Sequence, residues 1–232
     1  MIKPSKSQGG SCMEHVFLVV FDLDGVIVNT SSFHYRAWKR LLAEEWGVEH
    51  TQEVDDMTKG IGRYECLRLI TQQYGLSVPE TSFRALADRK NSYYVQLLHT
   101  ELGPENILPG IPETFSLLRQ AHIPTALASS SFNAPYVVQK LGLHFDYHVD
   151  PGSIAHGKPA PDIYLNAVNH FGYEPQHCIG IEDAASGVAS VKQAGLYCIG
   201  VGDAALLKDC DSLAASTAQL PGILKKLIGT AS

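Results

Sequence analysis

No basic tract runs through the 232 residues, and the formal net charge is −6. That balance argues against nucleic acid as the main partner. It leaves a phosphorylated small molecule open, because a few placed Lys and Arg side chains suffice to hold one. No apolar run approaches the roughly 18 residues of a spanning helix, so no membrane partner is expected. There is no C-x-x-C; five cysteines (Cys12, Cys66, Cys178, Cys198, Cys210) are scattered. An odd count without zinc spacing suits reduced thiols and a cytoplasmic location. Residues 1–15 hold Lys3, Lys6 and a Gly-Gly pair but no apolar stretch of the signal-peptide kind. They read as a flexible tail, with Met13 an alternative start. Internal repeats and low-complexity tracts are missing too. With 45% apolar residues, the chain has material for a sizeable core, which argues against disorder.

The stretch around Asp22 organises the rest. Five apolar residues, 17–21, read as a buried strand, and Asp22, Asp24 and Gly25 follow at its C-terminal end. A buried strand has no structural use for two acids at its tip. In open α/β sheets, ligands bind at the carboxyl ends of strands. The plain alternative is an acidic turn, since Asp-Gly pairs mark turns. Next, Ser31 or Ser32 is placed to cap a helix running to about Trp46 and ended by Gly47. Residues 31–96 keep helical periodicity with almost no strand signal. Beyond Leu108-Pro109-Gly110 the pattern alternates. Helices are expected over 112–121, 134–141, 160–171, 184–194 and 221–228. Strands are expected over 125–128, 147–149, 178–181 and 197–201. Such alternation predicts an α/β fold, a doubly wound parallel sheet with helices on both faces and a small helical module inserted after the first strand.

Three further strand ends carry chemistry. Residues 125–128 lead into Ser129-Ser130-Ser131, whose hydroxyls and free N–H groups can hold phosphate oxygens. A serine-rich turn before a helix is the structural alternative. Gly157-Lys158-Pro159-Ala160-Pro161-Asp162 sets a lysine in a rigid turn, where it can balance a phosphoryl charge. Residues 178–181 end in Glu182-Asp183. Together with Asp22 and Asp24 these make four acids that repel one another without a cation. A hard cation held by oxygen ligands, Mg²⁺, resolves that repulsion.

Taken in order, Asp22-Leu23-Asp24-Gly25-Val26, Ser129, Lys158 and Glu182-Asp183 resemble the four motifs of the haloacid dehalogenase-like phosphotransferases. The resemblance covers residues 17–201. It narrows to the β-phosphoglucomutase subfamily through His34-x-Arg36-Ala37-Trp38-Lys39, Lys59-Gly60-Ile61-Gly62-Arg63 and Ala87-Asp88-Arg89-Lys90-Asn91. The fold it implies is a Rossmann-like α/β core, residues 16–30 and 101–232, with an inserted α-helical cap domain, residues 31–100. It implies Asp22 as nucleophile and Asp24 as general acid/base. The implied Mg²⁺ ligands are the Asp22 side chain, the Asp24 backbone carbonyl, Glu182 and Asp183. It further implies a sugar phosphate site of His34, Trp38, Lys59, Gly60, Arg63, Lys90, Ser129, Ser130, Ser131, Asn133 and Lys158. In that site, Arg63 takes the second phosphate of a sugar bisphosphate, and Lys59 and His34 position the general acid/base. Thr30 matches the hinge.

Individually these helical residues have ordinary readings. Periodicity makes Trp38 a core residue; Arg63 and Lys90 would be solvated charges and His34 a surface histidine. Four positions depart from the subfamily. Asn29 replaces an acid, Gly62 and Cys66 replace hydroxyls, and Phe132 follows the serines where a polar residue is more usual. Three functions are weighed: a mutase interconverting β-glucose 1-phosphate and glucose 6-phosphate, a sugar-phosphate or other small phosphatase, and a non-catalytic binding protein. The last is disfavoured because every motif acid is present. A monomer is expected.

Overall fold

The computed structural model describes residues 16–229; the expected tail of residues 1–15 lies outside them. The first strand, β1, is Leu18–Phe21. Four helices follow: α1 Ser31–Trp46, α2 Gln52–Asp56, α3 Arg63–Gln73 and α4 Glu80–Glu101. Strands and helices then alternate: α5 Ile111–Gln120, β2 Thr125–Leu127, α6 Ala134–Lys140, β3 Tyr147–His148, α7 Asp162–Phe171, β4 Cys178–Glu182, α8 Ala185–Gln193, β5 Tyr197–Val201, β6 Ser212–Ala214 and α9 Leu220–Ile228. All strand pairings are parallel, in the order β3-β2-β1-β4-β5-β6.

The central strand β1 is buried along its whole length, as a parallel strand covered on both faces must be. Successive side chains alternate between faces. Val19 and Phe21 join one apolar cluster with Leu118, Val137 and Leu224. Leu18 and Val20 join another with Tyr164, Val168 and Val191. The apolar run predicts Phe17 inside this strand, which begins at Leu18. Instead it is 39% exposed and its ring packs on Tyr173 and His177. An aromatic ring at the strand's entry finds an edge partner at the surface without entering the core.

Helices α1 to α4 hold a cluster of their own, built on Trp38, Leu41, Leu42, Leu67, Ile70 and Phe83. Among the described residues from 31 to 101 there is no strand. The two connections between these helices and the sheet run side by side. Val28 bridges Ile107, Asn29 N–H donates to Asn106 O, and Leu108 N–H donates to Ile27 O. Gly47 ends α1 in the left-handed conformation, φ 64°, which glycine adopts without steric cost. The start of α1 differs from expectation. Thr30 is the N-cap residue and makes no capping bond; its hydroxyl donates to Asp24 instead.

Candidate active site

Strand register brings the site together. Phe21 pairs with Leu127 on one side and Ile181 on the other. Asp22 N–H donates to Ile181 O, and Ala128 N–H donates to Phe21 O. The three central strands therefore end level, and Asp22, Ser129 and Glu182 emerge at one edge. Gly25 turns the chain back at φ +79°. A Cβ there would lie 1.9 Å from Asp183 Oδ2, so only glycine lets the turn approach that carboxylate.

Lys158 and Glu182 form the buried base of the site. Lys158 Nζ lies 2.6 Å from Asp22 Oδ1 and 2.5 Å from Glu182 Oε1. Tyr164 donates its hydroxyl to Glu182 Oε1 at 2.9 Å. Glu182 Oε2 accepts from the N–H groups of Asp183 and Ala184. Burial alone would lower the Lys158 ammonium, but the Asp22 and Glu182 carboxylates outweigh it and hold it above its ordinary value. Burial pushes Asp22 up to about 6, offset in part by Lys158. Burial first, then Glu182, Asp22 and Asp24, push Asp183 well up. Asp22, Glu182 and Asp183 place carboxylate oxygens within 4.8 Å of one another. Hard oxygen donors pressed together in a buried site fit a divalent cation such as Mg²⁺, whose charge would relieve their repulsion.

Above this base lies a cavity. Its sheet-side wall is Asp22, Asp24, Ser129, Ser130, Ser131, Asn133 and Asp183. Its helix-side wall includes His34, Trp38, Lys59, Gly60, Arg63 and Lys90. Every expected site residue except Thr30, Lys158 and Glu182 thus lines one space; Thr30 bonds to Asp24, Lys158 to Asp22 and Glu182 to the Asp183 N–H, all on lining residues. Gly60 O accepts from the Ser130 hydroxyl, Lys59 O from the Ser186 hydroxyl, and Asn91 Oδ1 from the Asn133 amide at 2.8 Å. These bonds tie the helical layer to the serine loop and to α8.

Asp24 sits between the two walls. Burial and the Asp22 charge push it up to about 7, so it is poised to exchange a proton near neutrality. Its carboxylate accepts from Thr30, which in turn accepts from Tyr94 at 3.3 Å. His34 Nε2 lies 3.9 Å from Asp24 Oδ2. Lys90 Nζ donates to His34 Nδ1 at 2.8 Å. Burial, then the nearby Lys90 and Arg63 charges, hold His34 well below its ordinary value. A neutral ring accepting at Nδ1 carries its proton on Nε2, the atom that faces Asp24.

Local context replaces the ordinary readings of these helical residues. Lys90 is buried, not solvated, with its ammonium 4.6 Å from the Trp38 ring and 5.3 Å from the Tyr94 ring. Trp38 is both core and cavity wall. Lys59 departs from its expected position against the general acid/base: it lies in the turn after α2, and Nζ pairs with Asp56, the last residue of that helix, at 2.9 Å. Arg63 pairs with Asp88 at 3.4 Å.

A family model for haloacid dehalogenase-like hydrolases matches residues 18–195. The chain belongs to the haloacid dehalogenase-like hydrolases. Among relatives, the β-phosphoglucomutase of Bacillus subtilis is 38% identical over 206 residues, spanning 87% of this chain and 90% of that protein. A phosphorylated carbohydrates phosphatase of Thermotoga maritima is 28% identical over 182 residues, spanning 77% of this chain and 81% of that one. A crystal structure of β-phosphoglucomutase from Clostridium difficile superposes with a TM-score of 0.86 at 35% identity, over 91% of this chain and 97% of its own.

This dehalogenase-like protein is therefore an enzyme, an isomerase or a phosphatase. Its site also contains residues to which the sequence assigns no role. Asn91 adjoins Lys90 and its amide oxygen reaches Asn133; one position along α4 was the available signal. Tyr164 stabilises Glu182 from the first turns of α7, and no local signal marks it. Asp55, Thr58 and Phe132 also line the cavity of this haloacid dehalogenase-like enzyme.

Proposed function

We propose that the enzyme interconverts β-glucose 1-phosphate and glucose 6-phosphate through an aspartyl phosphate on Asp22 and β-glucose 1,6-bisphosphate. The observation that carries this reading is the shared cavity: acids and serines on the sheet side face Arg63, Lys90 and His34 on the helix side. A phosphatase needs the first wall for its chemistry and has no second phosphate to hold. A mutase must hold a second phosphate while the first is transferred.

In this reading the Asp22 carboxylate attacks phosphorus, splitting one transfer into two easier ones. Asp24 protonates the leaving oxygen and then takes the proton of the next hydroxyl. Asp22, Glu182, Asp183 and the Asp24 carbonyl would hold Mg²⁺, which would supply positive charge to the transferring group. Lys158 fixes the Asp22 oxygen that does not attack. The serine loop holds phosphoryl oxygens. Arg63 takes the distal phosphate, for which a guanidinium fork is suited. Thr30 and His34 hold Asp24 in place, and His34 is held in turn by Lys90. Helices α1 to α4 act as a cap over a core formed by the sheet and its flanking helices, keeping water from the aspartyl phosphate.

The test is a coupled assay with β-glucose 1-phosphate, Mg²⁺ and a trace of the bisphosphate, following glucose 6-phosphate and free phosphate together. Glucose 6-phosphate with little free phosphate is expected. Free phosphate without isomerisation would establish the phosphatase reading, which the Thermotoga maritima relative favours. Asp22→Asn is expected to lower turnover by more than about 10³-fold; retained activity would remove the covalent step.

A further inference from the structure

Phe132 is out of character for its place. It is 50% exposed, follows the serine loop and lines the cavity. Its ring does not lie loose. A Cβ on Gly152, in the 3-10 turn Pro151–Ser153, would come 3.4 Å from Phe132 Cε1, so the turn backs one side of the ring. The Arg63 guanidinium carbon lies 5.2 Å from the ring centroid. That is within the reach of a cation–π contact.

Arg63 is held from three directions. Asp88 on α4 meets one end at 3.4 Å, Tyr64 on its own helix lies 5.8 Å away, and Phe132 approaches from the sheet side. Among the described residues, Phe132 is the one aromatic outside the α1–α4 layer that reaches this guanidinium. A contact through the ring face consumes no N–H donor. It fixes the side chain and leaves the donor fork for a bidentate anion.

We infer that Phe132 is a positioning residue: it clamps the Arg63 guanidinium against the sheet side of the cavity and thereby sets affinity for the distal phosphate. The inference rests on the reading of Arg63 as that phosphate's partner. The aromatic departure at this position thus acts on the arginine. A polar side chain there would meet the phosphate directly, whereas Phe132 acts through Arg63. Pre-fixing a long, mobile arginine reduces the ordering cost on binding.

The experiment measures the β-glucose 1,6-bisphosphate concentration giving half-maximal turnover with β-glucose 1-phosphate. It compares the wild type, Phe132→Ala, Phe132→Leu, Phe132→Tyr, Arg63→Ala and the Phe132→Ala/Arg63→Ala double variant. Phe132→Ala is expected to raise that concentration about fivefold, the scale of one exposed cation–π contact, with the larger share of the effect in this term and not in kcat. Phe132→Tyr restores the wild-type value, and Phe132→Leu, of similar bulk but without a π face, does not. In the Arg63→Ala background, Phe132→Ala adds nothing. Restoration by leucine, or an undiminished effect in the Arg63→Ala background, would overturn the inference. If Arg63→Ala alone leaves the half-activating concentration unchanged, the reading of Arg63 fails. If Arg63→Ala raises it and Phe132→Ala does not, only the role of Phe132 fails.

Discussion

Replacing Lys90 with methionine is expected to make the folded enzyme more stable at neutral pH and slower in turnover. Burial pushes the Lys90 ammonium down from its ordinary value of 10.5 to about 8. At about 1.4 kcal/mol per pH unit, holding that proton costs the folded state about 3 kcal/mol wherever both states are protonated, that is, below about pH 8. Methionine keeps the length and fills the space against Trp38 and Tyr94 without a charge. It also takes away the donor to His34 Nδ1, which returns about 1 kcal/mol. The net expectation is a gain of about 2 kcal/mol near pH 7, or a rise in Tm of about 4–8 °C for a chain of this size. From pH 8 to 10.5 the unfolded chain keeps the Lys90 proton and the folded chain sheds it. Wild-type stability therefore rises with pH relative to the variant across that window, and the gap shrinks by about 2 kcal/mol between pH 7 and 9.5. Urea unfolding of both proteins at these two pH values reads the difference; titrating groups away from Lys90 cancel in it, while Asp24 and His34, which feel the Lys90 charge, contribute the remainder. Turnover is expected to fall about 10- to 100-fold, because His34 loses the contact that fixes its ring. Parallel stability profiles across the window, or a destabilised variant at neutral pH, would refute the reasoning.

Lys158→Met leaves Asp22 and Glu182 buried without their shared counter-charge, so a loss of about 3–5 kcal/mol is expected, read by urea unfolding. Added Mg²⁺ is expected to recover part of it. In the wild type, Mg²⁺ should raise the Tm, by an amount that corresponds to about 2.7 kcal/mol at 100 times its Kd, and chelation should abolish turnover; a Tm indifferent to Mg²⁺ would argue against the three-carboxylate site. Gly187→Ala puts a Cβ 1.9 Å from Glu182 Cδ. A cost of about 1–3 kcal/mol is expected together with weakened Mg²⁺ binding. Gly222→Ala, in α9 with nothing within 4 Å of its Cβ, is expected to stabilise by about 0.4–1 kcal/mol and serves as the control.

Local pattern determined much about this protein. The apolar run before Asp22, the helix–strand alternation after Leu108 and the acids at strand tips are short-range features. They reveal the parallel sheet and the catalytic edge because strands buried on both faces read as continuous apolar runs. The helix expected over residues 160–171 begins two residues later, because the turn at Lys158 extends through Pro161 before α7 begins at Asp162. β6 has no signature in the sequence because three residues, Ser-Leu-Ala, carry no period. They form a strand only by pairing with β5. The resemblance names the residues of the helical wall, but tertiary structure alone decided their partners. Whether Lys90 is a solvated charge or a buried donor to His34 depends on how α4 packs on α1, and nothing in its helical neighbours tells the two apart. The same holds for Thr30, whose hydroxyl serves Asp24 and not the helix end, and for Phe132, whose partner Arg63 lies 69 positions earlier in the chain. Chemistry carried by residues adjacent in sequence is legible in their pattern. Chemistry that depends on a side chain's partner across the fold is not, because burial and charge at such a site are set by the packing of elements far apart in the chain.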